Sequence, residues 1–223
     1  MKLVFTYIVA MTFAVCAVAA KSDKEIQQEN KKIAIAILDL YSNAKYITVD
    51  VEKQDEKLTL GTKSINKGTM KYSGGKFYLL LNSDKKTELF FKDQKLTLVD
   101  HPDQDFDKDG IRKVTVITKK TPVFLQSLVD LFSNSKTFFK EFKIAKSELK
   151  GDLLVLDLKP KMENLKNFKL ELNVPQKKIL SIVFTDDVDT MTSILFKDLS
   201  LKKKISKSTF EYKAKASDQV VTQ

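Results

Sequence analysis

The sequence has few of the residues that build reactive or cross-linked sites. Its 223 residues include one cysteine, one histidine, one arginine and no tryptophan. The cysteine, Cys16, lies in an N-terminal apolar run, so the remaining chain has no disulfide, thiolate nucleophile or cysteine metal site. Because His101 is the only histidine, a zinc site built from several histidines and a two-histidine proton relay are also excluded.

Arginine is equally scarce, although the chain is basic. The formal net charge is +10, from 39 basic and 29 acidic residues, and every basic residue except Arg112 is a lysine. Proteins that read nucleic acids depend on arginine for bidentate contacts with bases and phosphates. A lysine excess without arginine indicates a solvated surface, one that also favours encounter with anionic lipid headgroups. We therefore expect no nucleic-acid partner.

Motifs for catalysis are missing as well. The six glycines are scattered, so they form no phosphate-binding loop, and no serine lies in a Gly-x-Ser-x-Gly elbow. His101 precedes Pro102 in a polar segment, and we interpret it as a solvated loop histidine. The sequence therefore predicts a protein that is not an enzyme and that needs no cofactor.

One acidic segment resembles a metal-binding loop. Asp105, Asp107, Asp109 and Gly110 are spaced like positions 1, 3, 5 and 6 of an EF-hand calcium loop. Position 12 of that loop needs a bidentate glutamate, and here it is Val116, without flanking helices. The segment is a weak calcium candidate, and a solvated acidic loop between strands is the favoured interpretation.

The N-terminus has the organisation of a secretory signal peptide. Lys2 is followed by an apolar run over residues 3–15 and by small residues that end at Ala20. We expect cleavage after Ala20, export to the periplasm, and a single domain over residues 21–223. No second apolar run of about 18 residues follows. Cys16 would be a lipidation site only if a small residue preceded it, but Val15 does, so we interpret Cys16 as an apolar filler.

The hydrophobic period then predicts two helices and many strands. Ser22 and Glu25 match a capping box that opens a helix over residues 23–42, and a second helix begins at Thr121-Pro122 and ends near Asn134. Elsewhere apolar residues alternate with polar ones, which is typical of strands. Early strands are predicted around residues 47–51, 70–72, 77–81, 89–91, 96–98 and 114–116, with hairpin turns at Ser73–Lys76 and Lys92–Lys95. The later strands are predicted at 142–149, 153–159, 168–173, 179–186, 191–201 and 209–214. About eleven strands with so few helices predict a sheet that curls into an incomplete antiparallel barrel, with helices over its concave side.

Several stretches, in order and spacing, resemble the LolA family of periplasmic lipoprotein carriers. Family members show a strand led by glycine, a turn, a phenylalanine and then an Asp-Gly-Lys hairpin. The matching stretches are Gly68–Phe77, Phe90–Leu98, the segment Thr121-Pro122-Val-Phe-Leu, Thr192–Asp198 and Ile205–Phe210.

The resemblance implies a fold, a task and a set of site residues. The fold is an incomplete barrel with a helical lid over an apolar concave face. The task is to carry acylated lipoproteins from an inner-membrane transporter to an outer-membrane acceptor, as a monomer. Phe77 and Leu79 match positions that face the family's cavity, and alternation extends the set. The predicted cavity residues are Phe77, Leu79, Leu81, Leu89, Phe91, Leu96 and Leu98, and the predicted lid residues are Phe124, Leu125 and Leu128.

The chain departs from the family pattern at the lid latch. Many members carry Arg-Pro before the strand that holds the phenylalanine, and that arginine helps to latch the lid. Here the turn is Gly74-Gly75, so the latch arginine is absent, and the later hairpin reads Asp93-Gln94-Lys95. Two alternatives stay open: a membrane-anchored lipoprotein acceptor, which requires lipidated Cys16, and a sensor module of the same fold that binds another apolar ligand.

Overall fold

A computed structural model describes residues 21–82, 85–103, 105–107, 110–118, 123–201 and 204–223, without the side chains of 123 and 124. The predicted signal peptide and Cys16 lie outside the described residues. The helices are α1 (Asp23–Ser42), α2 (Val123–Ser133) and α3 (Ser135–Glu141). The strands are β1 (Ile47–Lys57), β2 (Thr62–Ser73), β3 (Lys76–Asn82), β4 (Thr87–Lys92), β5 (Lys95–Asp100), β6 (Lys113–Ile117), β7 (Phe142–Lys150), β8 (Leu153–Pro160), β9 (Leu165–Asn173), β10 (Lys178–Asp186), β11 (Thr190–Leu201) and β12 (Gln219–Thr222).

Helix α1 has the predicted bounds because its first turn is capped. The hydroxyl of Ser22 accepts from the Glu25 amide at 3.3 Å, and the Glu25 carboxylate accepts from the Ser22 amide at 2.8 Å. These bonds satisfy amide groups that have no partner inside the helix. The helix buries one face, formed by Ala34, Ile37, Leu38 and Tyr41.

All twelve strands belong to one sheet with open edges. Its order is β12-β6-β5-β4-β3-β2-β1-β11-β10-β9-β8-β7, so β12 and β7 do not pair with each other. The strand pairs are antiparallel except for β12 with β6, which is parallel. The predicted incomplete antiparallel barrel is confirmed, with twelve strands rather than eleven and one parallel pair.

The register places the predicted apolar residues in rows across one face. Phe77 pairs with Phe91, and Phe91 pairs with Leu96. Leu79 pairs with Leu89, which pairs in turn with Leu98. Directly opposite residues of antiparallel strands point to the same face, so both rows lie on the concave side, where the helices pack.

Gly68 lets β2 and β3 approach closely beside these rows. A Cβ atom at this position would lie 1.8 Å from the carbonyl oxygen of Leu80. No side chain can be accommodated at that distance, so only glycine leaves the two backbones this close. The family pattern of a glycine at this point therefore has a steric reason here.

The prediction of a last strand over 209–214 is wrong. Residues Lys207–Phe210 form a 3₁₀ turn instead, and the chain pairs with the sheet only at β12. Phe210 and Tyr212 do alternate, but Phe210 is buried and the ring of Tyr212 lies 6.3 Å from that of Phe90. These contacts hold the segment against the outer face, so the alternation reflects packing by a segment that is not a strand.

Asn134 has a second role beyond ending a helix. It follows α2, as predicted, and its side-chain oxygen accepts from the Thr137 amide at 3.0 Å, which makes it the N-cap of α3. Side chains of this kind satisfy the free amides of a helix start. The phenylalanine-rich stretch after Asn134 therefore forms a third helix, which the hydrophobic pattern did not predict, before β7 begins at Phe142.

Candidate functional site

The predicted cavity residues form one continuous apolar surface on the concave face. Five of them are buried: Phe77, Leu79, Leu89, Phe91 and Leu96 are at most 7% exposed. Leu81 and Leu98 are partly buried and pack against the same core. The structure therefore brings all seven together, as neighbours on β3, β4 and β5.

Helix α2 packs into the same hydrophobic core through its own apolar side. Leu125 and Leu128 are fully buried in the same core, and the side chain of Phe124 lies outside the described residues. Three further residues of α2, Val129, Leu131 and Phe132, are buried with them. Helical spacing from Leu125 and Leu128 places these three on the same stripe. That spacing was the signal that could have added them to the predicted lid.

Phe132 is the residue of the lid with the best-defined contacts. Its ring centroid lies 5.8 Å from that of Tyr72 on β2 and 6.0 Å from that of Phe196 on β11. It also lies 6.2 Å from Tyr41 of α1, in an edge-to-face arrangement. Such pairs contribute about 0.5–1.5 kcal/mol beyond burial. Phe132 therefore ties the end of α2 to the middle of the sheet and to α1.

Tyr72 stands at the hairpin where the family latch arginine is missing. Its hydroxyl accepts from the Gly75 amide at 3.0 Å. Burial raises the pKa of Tyr72, and hydrogen bonds with the Gly75 backbone and the Ser133 side chain act in the opposite direction. The β2–β3 hairpin is thus joined to the end of α2 by the Tyr72 hydroxyl, through Ser133, and by the contact of the Tyr72 ring with Phe132.

The lid carries one partly buried carboxylate, Asp130. Its Oδ1 accepts a hydrogen bond from the amide of Gln126, one turn earlier, at 2.9 Å. Burial raises the pKa of Asp130, the bond from Gln126 lowers it, and the nearby charge of Glu141 raises it further. Ionisation of Asp130 is therefore less favourable here than in water.

The other half of the concave face contains a cluster of aromatic rings among buried leucines and isoleucines. Phe138 of α3 stacks on Phe142 with centroids 4.6 Å apart, and Phe142 lies 4.7 Å from Phe168 of β9. Phe168 stacks in turn on Phe184 of β10 at 6.1 Å. Helix α1 contacts β7 and β10 here, and α3 contacts β7, whereas the main described contacts of α2 are with α1 and α3.

His101 is not a solvated loop residue, contrary to the prediction. Its Nε2 lies 2.8 Å from Glu88 Oε2, and the hydroxyl of Tyr78 donates to Glu88 Oε1 at 2.8 Å. Burial alone would raise the pKa of Glu88, but the hydrogen bonds from His101 and Tyr78 leave that pKa below its usual value. Leu80 pairs with Glu88, so this cluster lies on the outer face, away from the concave surface.

The acidic segment remains a weak calcium candidate. Asp105 and Asp107 are exposed, Asp109 lies outside the described residues, and the Asp105 amide donates to Asp103 Oδ1 at 3.0 Å. In the part of the chain that the structure describes, no three histidine, cysteine, aspartate or glutamate side chains are placed to hold one metal ion. Across those same ranges, no helix is both long and apolar enough to cross a membrane.

The chain is similar to one protein family and to several solved structures. The family model "Outer membrane lipoprotein carrier protein LolA" matches residues 42–213. A LolA superfamily protein from Nitrosomonas europaea is 11% identical over 86% of this chain and 99% of its own, with a TM-score of 0.38. LprF from Mycobacterium bovis is 10% identical over 80% of this chain and 96% of its own, with a TM-score of 0.45.

A DUF1329 family protein from Desulfovibrio piger is 12% identical over 83% of this chain and 97% of its own, with a TM-score of 0.44. No curated protein matches the chain. The family model covers the sheet from the end of α1 to the segment before β12, which is well over half of the sequence. On this match, the chain is a member of the LolA family.

Proposed function

We propose that the protein carries the acyl chains of lipoproteins between membranes. The observation that carries the proposal is the continuous apolar surface of β3, β4 and β5, which shares one core with a helix that contacts mainly other helices. A strand-bonded cover could not leave without breaking a hydrogen-bond ladder, whereas α2 can move by exchanging apolar contacts. An acyl chain can take the place of Leu125, Leu128 and Phe132 against the same surface.

The energetics favour this exchange. Each buried CH₂ group of an acyl chain contributes about 0.8 kcal/mol, so partial shielding of one chain is worth many kcal/mol. Opening the lid costs the apolar contacts of α2, and the bound chain restores contacts of the same kind. Release then needs an acceptor with a more favourable apolar surface rather than a chemical reaction. This scheme needs no cofactor and no catalytic group.

The proposal includes the compartment and the partners. A protein exported by its signal peptide would work in the periplasm, receive acylated lipoproteins from an inner-membrane transporter and pass them to an outer-membrane acceptor. The membership in the LolA family supports this assignment. The absence of the latch arginine is compatible with it, because Tyr72 and Phe132 supply other contacts between the hairpin and α2.

The structure also decides which substitution tests the cavity. Phe77 is fully buried, so a glutamate there would bury a charge and unfold the protein before binding could be measured. Leu81 is a better site for the test and Leu80 is its matched control, because both are partly buried leucines of β3. Leu81 pairs with Gly68 and faces the concave side, whereas Leu80 pairs with Thr69 and Glu88 on the outer side.

The experiment is native mass spectrometry of the protein purified from the periplasm of cells that overproduce one lipoprotein. We expect a complex with the acylated lipoprotein and none with its unacylated cysteine variant. Leu81→Glu should lose the complex, and the matched Leu80→Glu should retain it with a similar thermal unfolding temperature. A complex that survives in Leu81→Glu would refute the proposed cavity.

Other outcomes separate the alternatives. Copurified phospholipid or free fatty acid, with no lipoprotein, would favour a lipid-binding or sensor module of the same fold. An intact mass that includes a diacylglycerol group on Cys16 would favour the membrane-anchored acceptor.

A further inference from the structure

One end of the sheet collects lysines. The register aligns Leu201, Ile47 and Tyr72 in one row, which continues through Phe77, Phe91 and Leu96. The chain segments just beyond this row therefore lie at the same end of the strands. They carry six described lysines, which we call the lysine-rich end: Lys45, Lys76, Lys92, Lys95, Lys204 and Lys207.

Few carboxylates neutralise this end. Glu211 accepts from Lys92 Nζ at 2.8 Å, and Lys76 and Lys207 also lie close enough to interact with it. The hydrogen bond and charge of Lys92, with smaller effects of the other two lysines, lower the pKa of Glu211. Among the described residues, Lys92 is the only one of the six that forms an ion pair with a carboxylate.

The opposite end has a different charge pattern. The end of β5 and the loop after it carry Asp100, Asp103, Asp105 and Asp107, and the end of β10 and its turn carry Asp186, Asp187 and Asp189. Two lysines at that end have carboxylate partners: Lys63 lies 3.1 Å from Glu56, and Lys166 lies 2.5 Å from Asp189. The molecule is therefore polarised along its strands, with lysines dominating one end and carboxylates gathered at the other.

The lid is attached at the lysine-rich end. Strand β6, which leads towards α2, ends at Ile117, the partner of Leu96 in the aligned row. The last residue of α2, Ser133, is joined to Tyr72 of the same row. Both ends of the segment that must move to open the cavity are thus tied to the end that carries the unpaired lysines.

We propose that the lysine-rich end docks the protein on the surface of an anionic phospholipid bilayer. Lysine is a flexible point charge, suited to a diffuse layer of headgroups, and each lysine near such a surface strengthens binding about fivefold. The carboxylates at the far end are repelled by the same surface, which orients the molecule with its lid attachment towards the membrane.

A protein partner is less well matched to this end. Protein interfaces have an apolar core within a polar rim. Apart from Leu201, the most exposed large apolar side chains near strand ends, Leu60, Phe106 and Val188, belong to turns at the opposite end. Membrane docking goes beyond the proposed carrier function, because it concerns where the protein rests rather than what it holds.

The test measures flotation of the purified protein with vesicles of phosphatidylcholine alone or with about one quarter phosphatidylglycerol. A quadruple variant replaces four unpaired lysines of this end, Lys76, Lys95, Lys204 and Lys207, with glutamine. The matched control removes four exposed lysines at the opposite end, for which the described residues form no ion pair: Lys57, Lys113, Lys159 and Lys161, each →Gln. Both variants change the net charge by the same amount.

We expect at least tenfold stronger binding to the anionic vesicles, which is lost at about 0.5 M salt because the charges are screened. The lysine-rich-end variant should lose at least tenfold in affinity, and the control should change by less than about twofold. Equal losses in the two variants, or equal binding of the natural protein to both vesicles, would overturn the proposal. Because the vesicles contain no lipoprotein, this result stands or falls separately from the acyl-carrier test.

Discussion

The two halves of the sheet bury the same face with different chemistry. Over β8, β9 and β10, the core contains a cluster of rings, in which Phe142 and Phe168 are 4.7 Å apart, beside buried leucines and isoleucines. Over β3, β4 and β5, the core is mostly leucine, with Phe77 and Phe91 at one end. Helices α1 and α3 contact strands of the first half, whereas α2 contacts mainly α1 and α3 and shares a core with the second half.

This difference indicates which half can open. Aromatic pairs have preferred geometries, so an incoming flexible chain cannot replace a ring without loss. Leucine side chains have no such requirement, and an acyl chain provides equivalent contacts. We therefore interpret the aromatic half as the permanent core and the leucine half as the part that exchanges its cover. Four substitutions test this comparison.

The largest effect is expected for Phe168→Ala in the aromatic half. Phe168 is buried and contacts Phe138, Phe142 and Phe184. Removing its ring should lower the free energy of unfolding by about 3–5 kcal/mol, because a cavity forms inside packed rings. Urea unfolding followed by circular dichroism measures it. A loss below about 1 kcal/mol would show that the aromatic half is not the permanent core.

Leu128→Ala tests the lid. Leu128 is fully buried on the inner side of α2, so the variant should lose about 2–3 kcal/mol of unfolding free energy. This destabilisation should mainly favour opening of the lid. Amide hydrogen exchange should therefore accelerate in α2, while β8 and β9 keep their protection. Exchange that accelerates equally in both halves would mean that the lid does not move separately from the core.

Asp130→Asn should stabilise the closed lid at neutral pH. The folded pKa of Asp130 is raised, chiefly by burial. The contribution of protonated Asp130 to stability is therefore complete at pH values below the pKa of the unfolded state. It is lost as the pH rises through the pKa of the folded state. The variant should exceed the natural protein in unfolding free energy by less than about 1 kcal/mol at pH 7. The difference should vanish in acid, where both side chains are neutral; a difference independent of pH would exclude this cause.

The smallest effect is expected at the β4–β5 hairpin of the leucine half. Asp93 and Gln94 both have positive φ, 52° and 61°, as a two-residue turn of this type requires. Glycine adopts this conformation without steric cost. Gln94→Gly should therefore stabilise the protein by roughly 0.5 kcal/mol and raise its thermal unfolding temperature slightly. Asp93→Gly is a matched comparison, and destabilisation by Gln94→Gly would show that the glutamine side chain has an unrecognised contact.

The sequence predicted the local elements of this fold well. The capping box of Ser22 and Glu25 located α1, and alternation located β3, β4 and β5 with their buried residues. The predictions failed where a long-range contact overrode a local pattern. Phe210 and Tyr212 alternate like a strand, yet Arg112 holds their segment through Asp218, with Nε and the terminal nitrogen donating at 2.7 and 2.6 Å. The partner of His101, Glu88, is thirteen positions away on β4. The sequence next to His101 does not reveal this contact and indicated only a solvated loop.

The sequence by itself determined which side chains share a face, because the two-residue period of a strand and the 3.6-residue period of a helix are local properties of the chain. It also determined that the chain lacks a phosphate-binding glycine loop and a Gly-x-Ser-x-Gly elbow, and the resemblance to the LolA family followed from the same residues. Only the tertiary structure decided that α2 shares a core with the leucine half, that rings cluster in the other half, and that lysines gather at the end where the lid is attached. Those features depend on strand register and helix packing, which join residues far apart in sequence and so leave no short-range pattern.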